Sequence, residues 1–273
     1  MLKINLLTAT IIGLCLTNIN TAFGVIVSVG EGNKTDVSQT VAPFNKNAVA
    51  SFQEGVNLYE QGDLKGSEAA FRKAIELQPN FAKAYIGLGN TLDDQGKSND
   101  AIAQYKKAIS LEPKESGAYF NLGLTLARLN KLDDAIAQYK KGISLNPTYV
   151  SAHYNLASAL YAQDKLTEAV AEYTETIRLD PKYVQAYNGL GNALDDQGKP
   201  TEAIAQYKKA INLDPNNAYT YYNLAVTLAR QQQLDDASVA LKKARELFQI
   251  QKNSEMLQRV DQLFQKINTR QVN

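Results

Sequence analysis

The sequence contains very few of the residues that most catalytic and metal sites require. Among 273 residues there is one Cys, one His and no Trp. A single Cys cannot close a disulfide within the chain, and one Cys with one His cannot assemble a zinc site built from several such ligands. One His also leaves little room for acid–base catalysis by imidazole. These scarcities predict a protein that is not an enzyme and that carries no metal or other cofactor.

An excess of charge of one sign is lacking as well. The 29 basic and 28 acidic side chains leave a formal net charge of +1, which argues against a nucleic-acid partner and against a polyacidic tail. Charged residues make up 21% of the chain and hydrophobic residues 44%, which is an ordinary composition for a folded protein. We therefore expect ordered structure over most of the chain.

The first 24 residues have the three-part layout of a secretory signal peptide. Lys3 precedes an apolar run over residues 6–16, and Ala22-Phe23-Gly24 places small residues before a possible cleavage site at Val25. The run is shorter than the roughly 20 apolar residues that span a bilayer. This predicts export to the periplasm or the cell exterior, with an uncleaved leader that anchors the chain in the membrane as the alternative. Residues 25–47 show no helical period and predict a flexible linker.

Proline recurs at one fixed spacing through most of the chain. Five prolines lie 34 residues apart, at Pro79, Pro113, Pro147, Pro181 and Pro215. Aligning on them divides residues 48–251 into six repeats: 48–81, 82–115, 116–149, 150–183, 184–217 and 218–251. The eighth position of every repeat is Gly or Ala, and the twenty-fourth is aromatic in the first five. Such regular spacing indicates an array of one repeated structural unit.

Each repeat has the pattern of two antiparallel helices. In the second repeat, Tyr85, Leu88, Gly89 and Leu92 follow the i, i+3, i+4, i+7 spacing of one helical face. A second apolar face follows after a break too short for anything but a tight turn. Proline then ends the second helix because it cannot donate to the helical ladder. A lone hairpin cannot bury both of its faces, so neighbouring hairpins should stack.

When the six repeats are aligned, each position within the repeat forms a column of the alignment. The columns of small, aromatic and proline residues resemble the pattern of the tetratricopeptide repeat (TPR) family, over about three quarters of the chain. The resemblance implies an all-α solenoid, a right-handed superhelix of six helical hairpins. Residues 252–273 follow the last repeat, where Leu257, Val260, Phe264 and Ile267 mark an amphipathic helix. We interpret this segment as a capping helix with a short tail, because an uncovered last repeat would expose a large apolar patch.

Repeats that are three units apart are similar to each other beyond the general 34-residue pattern. The second and fifth repeats share 23 of 34 residues at a separation of 102, and the third and sixth share Thr-Leu-Ala-Arg and Leu-Asp-Asp-Ala. We infer that the array grew by copying a block of three repeats. Surface groups should therefore recur every three repeats.

The motifs that could carry chemistry have simpler explanations. The G-x-G at Gly87–Gly89 lies inside a predicted helix and follows no strand, so a dinucleotide site is excluded. His153 occupies a column that is Tyr in most of the other repeats, which favours packing. The adjacent carboxylates Asp93-Asp94 and Asp195-Asp196 point about 100° apart on a helix and should be solvated helix ends. Recurrent Lys doublets on the second helices are balanced by acids and predict a solvated face.

The resemblance implies that the first helices of the repeats line a concave groove that holds a protein or an extended peptide. The groove columns supply asparagines, aromatic residues and arginines. These candidate binding residues are Asn90, Asn121, Asn155, Asn192, Asn223, Phe120, Tyr154, Tyr161, Tyr222, Arg128 and Arg230. Asparagine offers both a donor and an acceptor and can pair with any peptide group, although it could equally cap or hydrate its own helix. The carboxylate-clamp pattern of the family, which needs Lys in the fifth column, is not matched.

The sequence predicts a non-catalytic scaffold that binds a protein or peptide of unknown identity. The alternative is a structural cell-envelope protein that self-associates through its ends. One further rival is an enzyme that uses scattered carboxylates, which no acid pair of fixed geometry supports. Another is membrane recruitment by the Lys doublets, whose charge is cancelled by acids elsewhere.

Overall fold

The computed structural model describes residues 45–271. The predicted leader and most of the predicted linker lie outside the described residues. The described chain forms two compact units, one that ends at Pro147 and one that begins at Thr148. Thirteen α-helices and no strand occur in this part of the chain, which confirms the all-α, repeat-built fold class.

The helices alternate between a first and a second helix of each repeat. The first unit contains α1 (Lys46–Glu60), α2 (Leu64–Leu77), α3 (Ala82–Asp94), α4 (Ser98–Leu111), α5 (Ser116–Arg128) and α6 (Leu132–Leu145). The second contains α7 (Val150–Ala162), α8 (Leu166–Leu179), α9 (Val184–Asp196), α10 (Pro200–Leu213), α11 (Ala218–Arg230), α12 (Leu234–Ile250) and α13 (Ser254–Gln271). Five of the six first helices begin at the first residue of a predicted repeat, and α1 begins two residues earlier.

The repeated proline sets the length of the second helices. In the first five repeats this helix ends at a leucine two residues before the proline, and the residue between them has non-helical backbone, as at Gln78 with ψ 87°. Steric conflict with the proline ring disfavours helical backbone at that position. The sixth repeat has Gln249 instead of proline, and α12 accordingly continues to Ile250.

The turn between the two helices of every repeat passes through one residue with left-handed backbone. These residues have φ between 58° and 81° and occupy the fifteenth position of each repeat: Gly62, Gly96, Asn130, Asp164, Gly198 and Gln232. The following amide closes each first helix by donating to a carbonyl five residues back, as Lys97 N does to Leu92 O at 2.8 Å. Glycine, asparagine and aspartate tolerate this conformation, whereas glutamine does so at a cost.

Close approach of the paired helices depends on glycine in the eighth column. A Cβ added at Gly89 would lie 2.5 Å from the ring of Tyr105, and one at Gly191 would lie 2.5 Å from that of Tyr207. Both tyrosine rings are 1% exposed. The absence of a side chain therefore lets an aromatic ring lie directly on the backbone of the first helix.

Successive hairpins stack within each unit. In the first unit α2 packs against α3 and α4 against α5, and in the second unit α8, α10 and α12 pack against α9, α11 and α13 in the same way. Helix α13 buries Met256, Val260 and Ile267 and so covers the last repeat. Leu257 and Phe264, which the sequence pattern also placed on this face, are half-buried.

Candidate binding site

The side-chain amides of two neighbouring first helices join in the first unit. Asn121 Nδ2 on α5 donates to Asn90 Oδ1 on α3 at 3.0 Å, and the buried Tyr105 hydroxyl donates to the same oxygen at 2.9 Å. Both lone pairs of that oxygen are thereby used. Asn90 Nδ2 and Asn121 Oδ1 have no hydrogen-bond partner among residues 45–271, and neither atom is enclosed. The pair therefore presents one free donor and one free acceptor.

A buried carboxylate lies one turn along α3 from this amide pair. The Asp93 side chain is 8% exposed and forms an ion pair with Arg128. Thr125 Oγ1 donates to Asp93 Oδ2 at 2.7 Å, and Ser98 Oγ donates to its Oδ1 at 2.9 Å. Three partners offset the cost of burying the charge and tie α3 to α5. The expectation of a solvated helix end is wrong for Asp93.

The adjacent carboxylate has a different partner. Asp94 is exposed at the end of α3 and accepts a hydrogen bond from the Tyr59 hydroxyl of α1. Burial, together with the hydrogen bond to Asp94, raises the pKa of Tyr59 well above its ordinary value. The phenol therefore stays protonated and remains a donor at every physiological pH. Asp93 and Asp94 thus contact different partners on different helices.

The second unit contains the same network, displaced by 102 residues. Tyr207 and Asn223 both donate to Asn192 Oδ1, at 2.8 and 3.0 Å. Asp195 Oδ2 accepts from Thr227 at 3.0 Å and pairs with Arg230 at 2.7 Å. Tyr161 donates to Asp196 at 2.7 Å, and burial with that hydrogen bond raises its pKa in turn. The one missing donor is that of Ser98, because Pro200 occupies the corresponding position.

The remaining predicted residues take other roles. Phe120 is 8% exposed and packs against Tyr139, and Tyr154 packs against Tyr173 and Tyr183. Asn155 donates to Ser151 O of its own helix at 2.8 Å, which is the local role that the sequence left open. Tyr222 is half-buried on α11, and burial raises its pKa. The network thus brings together seven of the eleven candidates: Asn90, Asn121 and Arg128 in one unit, and Tyr161, Asn192, Asn223 and Arg230 in the other.

Sequence reasoning missed several members of the network. Tyr59, Thr125, Thr227 and the buried tyrosines of the second helices were not singled out as site residues. The signal that could have found them is the 102-residue copy, since each of them recurs at that separation.

His153 has the packing position that its column predicted. Its side chain is 8% exposed, and its Nδ1 lies 2.7 Å from Glu172 Oε2. No group of three or more His, Cys, Asp or Glu within residues 45–271 is placed to hold a metal ion. None of the helices in the described part is both long and apolar enough to cross a bilayer.

Comparison with known proteins agrees with this architecture. The family model described as TPR repeat matches residues 55–96, 89–130, 125–164, 157–198 and 191–232, which together span well over half of the chain. No curated protein matches the chain in sequence.

Three solved structures illustrate the likeness. YrrB, described as a TPR protein with an unusual peptide-binding site, is 25% identical, with a TM-score of 0.60 over 71% of this chain and 98% of its own. A crystal structure of MamA protein is 28% identical, with a TM-score of 0.56 over 63% and 94%. PilF of Pseudomonas aeruginosa, 18% identical, shares the fold with a TM-score of 0.69 over 79% and 96%.

Proposed function

We propose a binding function from one premise: the chain belongs to the TPR repeat family, whose members are generally non-catalytic scaffolds for protein–protein interaction. The protein holds an extended polypeptide segment of a partner against the polar faces of its first helices. The amide pairs supply the backbone contacts, and the neighbouring charged and aromatic side chains supply the preference for one partner over another.

The proposal is supported chiefly by which amide atoms of the asparagines form hydrogen bonds within the fold and which do not. Asn90 and Asn121 each use one amide atom within the fold, which fixes the orientation of both side chains. What remains is an N–H donor on one helix and an oxygen acceptor on the next, neither of them fully enclosed although Asn121 is only 8% exposed. In an extended segment the N–H and the C=O of one residue point to the same side, so the pair can bind both groups whatever the peptide sequence. Prior orientation also reduces the entropy lost on binding.

Site-specific photo-crosslinking tests which face the partner contacts. The half-buried Leu124 lies between Asn121 and Arg128 on α5, whereas Lys107 is exposed on the second helix α4. We expect a benzoylphenylalanine placed at residue 124 to capture a partner protein in the native host, while the same group at residue 107 captures none. Equal capture at both positions, or capture at residue 107 alone, would contradict binding through the first helices.

We further propose that the protein acts outside the cytoplasm, after a leader over residues 1–24 directs its export. The support is the three-part layout of that segment in the sequence. Amino-terminal sequencing of the protein purified from its host should show a chain that starts at Val25. A chain that retains Met1 and fractionates with membranes would favour the anchored alternative, and a cytoplasmic location would refute export.

A further inference from the structure

The two networks have the same members and the same hydrogen bonds, apart from the one that Ser98 donates in the first. Every pair of corresponding residues is separated by 102 positions: Tyr59 and Tyr161, Asn90 and Asn192, Asp93 and Asp195, Asp94 and Asp196, Tyr105 and Tyr207, Asn121 and Asn223, Thr125 and Thr227, Arg128 and Arg230. The same donors reach the same acceptors in both units. Each network lies within one unit and is complete there. The chain therefore contains two sites of one kind.

Each site leaves the same groups available to a ligand. Asn192 Nδ2 and Asn223 Oδ1 have no partner among residues 45–271, as in the first unit. The carboxylates of Asp94 and Asp196 are exposed, and each accepts one tyrosine hydroxyl on one of its two oxygens. The second oxygen of each carboxylate is therefore available for a further contact.

The electrostatics of both sites favour a cation. Two aspartates and one arginine give each site one net negative charge, and the arginine is already paired with the more buried aspartate. Asp94 and Asp196 are also the last residues of α3 and α9, where the helix dipole adds negative potential. A basic group can therefore approach the exposed carboxylate with little opposition from Arg128 or Arg230.

The spacing also suits a peptide that carries a basic side chain. Asn90 and Asp94 are one helical turn apart on the same face, about 5–6 Å between Cβ atoms. Binding of an extended residue by the amide pair would thus hold a nearby lysine or arginine side chain within reach of the carboxylate.

We infer that each unit binds one polypeptide segment that contains a Lys or Arg residue, so that one chain takes up two such segments at equivalent sites. This inference rests on the proposed binding function and specifies the ligand chemistry and the stoichiometry. A partner that suits it presents the same basic segment twice, within one chain or as a dimer.

Side-chain amide signals in NMR spectra of the full chain, labelled with ¹⁵N at asparagine, report on each site separately. The probe is the blocked tripeptide acetyl-Gly-Lys-Gly amide, and its matched control is acetyl-Gly-Glu-Gly amide. We expect the lysine peptide to shift the Asn90 and Asn121 signals and the Asn192 and Asn223 signals with the same Kd, on the order of 1 mM for so small a ligand. The glutamate peptide should bind at least about tenfold more weakly, since attraction is replaced by repulsion.

Two single substitutions separate the sites. Asp94→Asn should remove the preference for lysine at the first site and leave the second unchanged, and Asp196→Asn should do the reverse. Shifts at one site only, equal binding of both peptides, or no shift with either peptide would overturn the inference. Those outcomes leave the crosslinking result at residue 124 untouched, whereas failure of that crosslink removes the binding function itself.

Discussion

At the scale of single residues, the turn inside each repeat requires left-handed backbone at one position, and the residues found there differ in the conformational cost of adopting it. Six residues adopt left-handed backbone at the fifteenth position, and three of them are glycine. Gln232 has a φ of 61°, although its Cβ then approaches the following carbonyl oxygen. Gly198, at the same place in the preceding repeat, has a φ of 75° and no such conflict. The last turn of the array is therefore held by its neighbours against a local preference.

Exchanging the residues at these two turns tests this explanation. We expect Gln232→Gly to stabilise the protein by about 1 kcal/mol because it relieves the left-handed strain. Gly198→Gln should destabilise it by a similar amount. Urea unfolding followed by circular dichroism measures both. Equal, negligible shifts in the two variants would show that the turns carry no strain.

The sequence predicted the backbone better than the side-chain partners, and the asparagines show why. The 34-residue spacing and the apolar periodicity predicted a pair of helices in each repeat, because helix formation follows local pattern and capping. The bond from Asn121 to Asn90 spans 31 residues and depends on the register between two stacked helices, which periodicity does not determine. Column position alone could not separate Asn121, which bonds across helices, from Asn155, which bonds within its own.

At the scale of secondary-structure elements, α13 decides whether the array has an apolar end. It packs against α12 and buries Val260 completely. Asn253 Oδ1 caps its first turn by accepting from Met256 N at 3.1 Å, and Arg245 on α12 pairs with Asp261 at 2.8 Å. That ion pair is half exposed on both sides and contributes little, so apolar burial holds the helix in place.

Val260→Asp should release α13 from the last repeat. The substitution would bury an unpaired carboxylate. The free-energy cost of that burial exceeds the stabilisation that α13 gains by packing one face on the last repeat. Hydrogen exchange should show loss of amide protection through residues 254–271 while α9 and α10 keep theirs. The matched control is Gln262→Asp on the exposed side of the same helix. Unchanged protection in Val260→Asp would mean that α13 is not held by its apolar face.

At the scale of the whole molecule, internal duplication extends from the sequence to the hydrogen bonds between helices. The copied block of three repeats was visible in the sequence. The structure shows that hydrogen bonds between the side chains of stacked helices recur with it. One such network lies in each of the two compact units. The first and fourth repeats differ at most positions. Both nevertheless keep the tyrosine, Tyr59 or Tyr161, whose hydroxyl donates to an aspartate of the next repeat.

On this model of binding, the free amide atoms of the first helices contact the partner. The most direct test is the affinity, by isothermal titration calorimetry, of the partner captured through residue 124 for the double variant Asn121→Ala with Asn223→Ala. Both substitutions leave Asn90 and Asn192 bonded to their buried tyrosines, so the melting temperature should barely change. We predict about tenfold weaker binding, as the loss of one or two hydrogen bonds implies, and unchanged binding for the exposed pair Asn99→Ala with Asn212→Ala. Undiminished affinity of the first variant, in a protein that remains folded, would show that these amide atoms do not bind the partner.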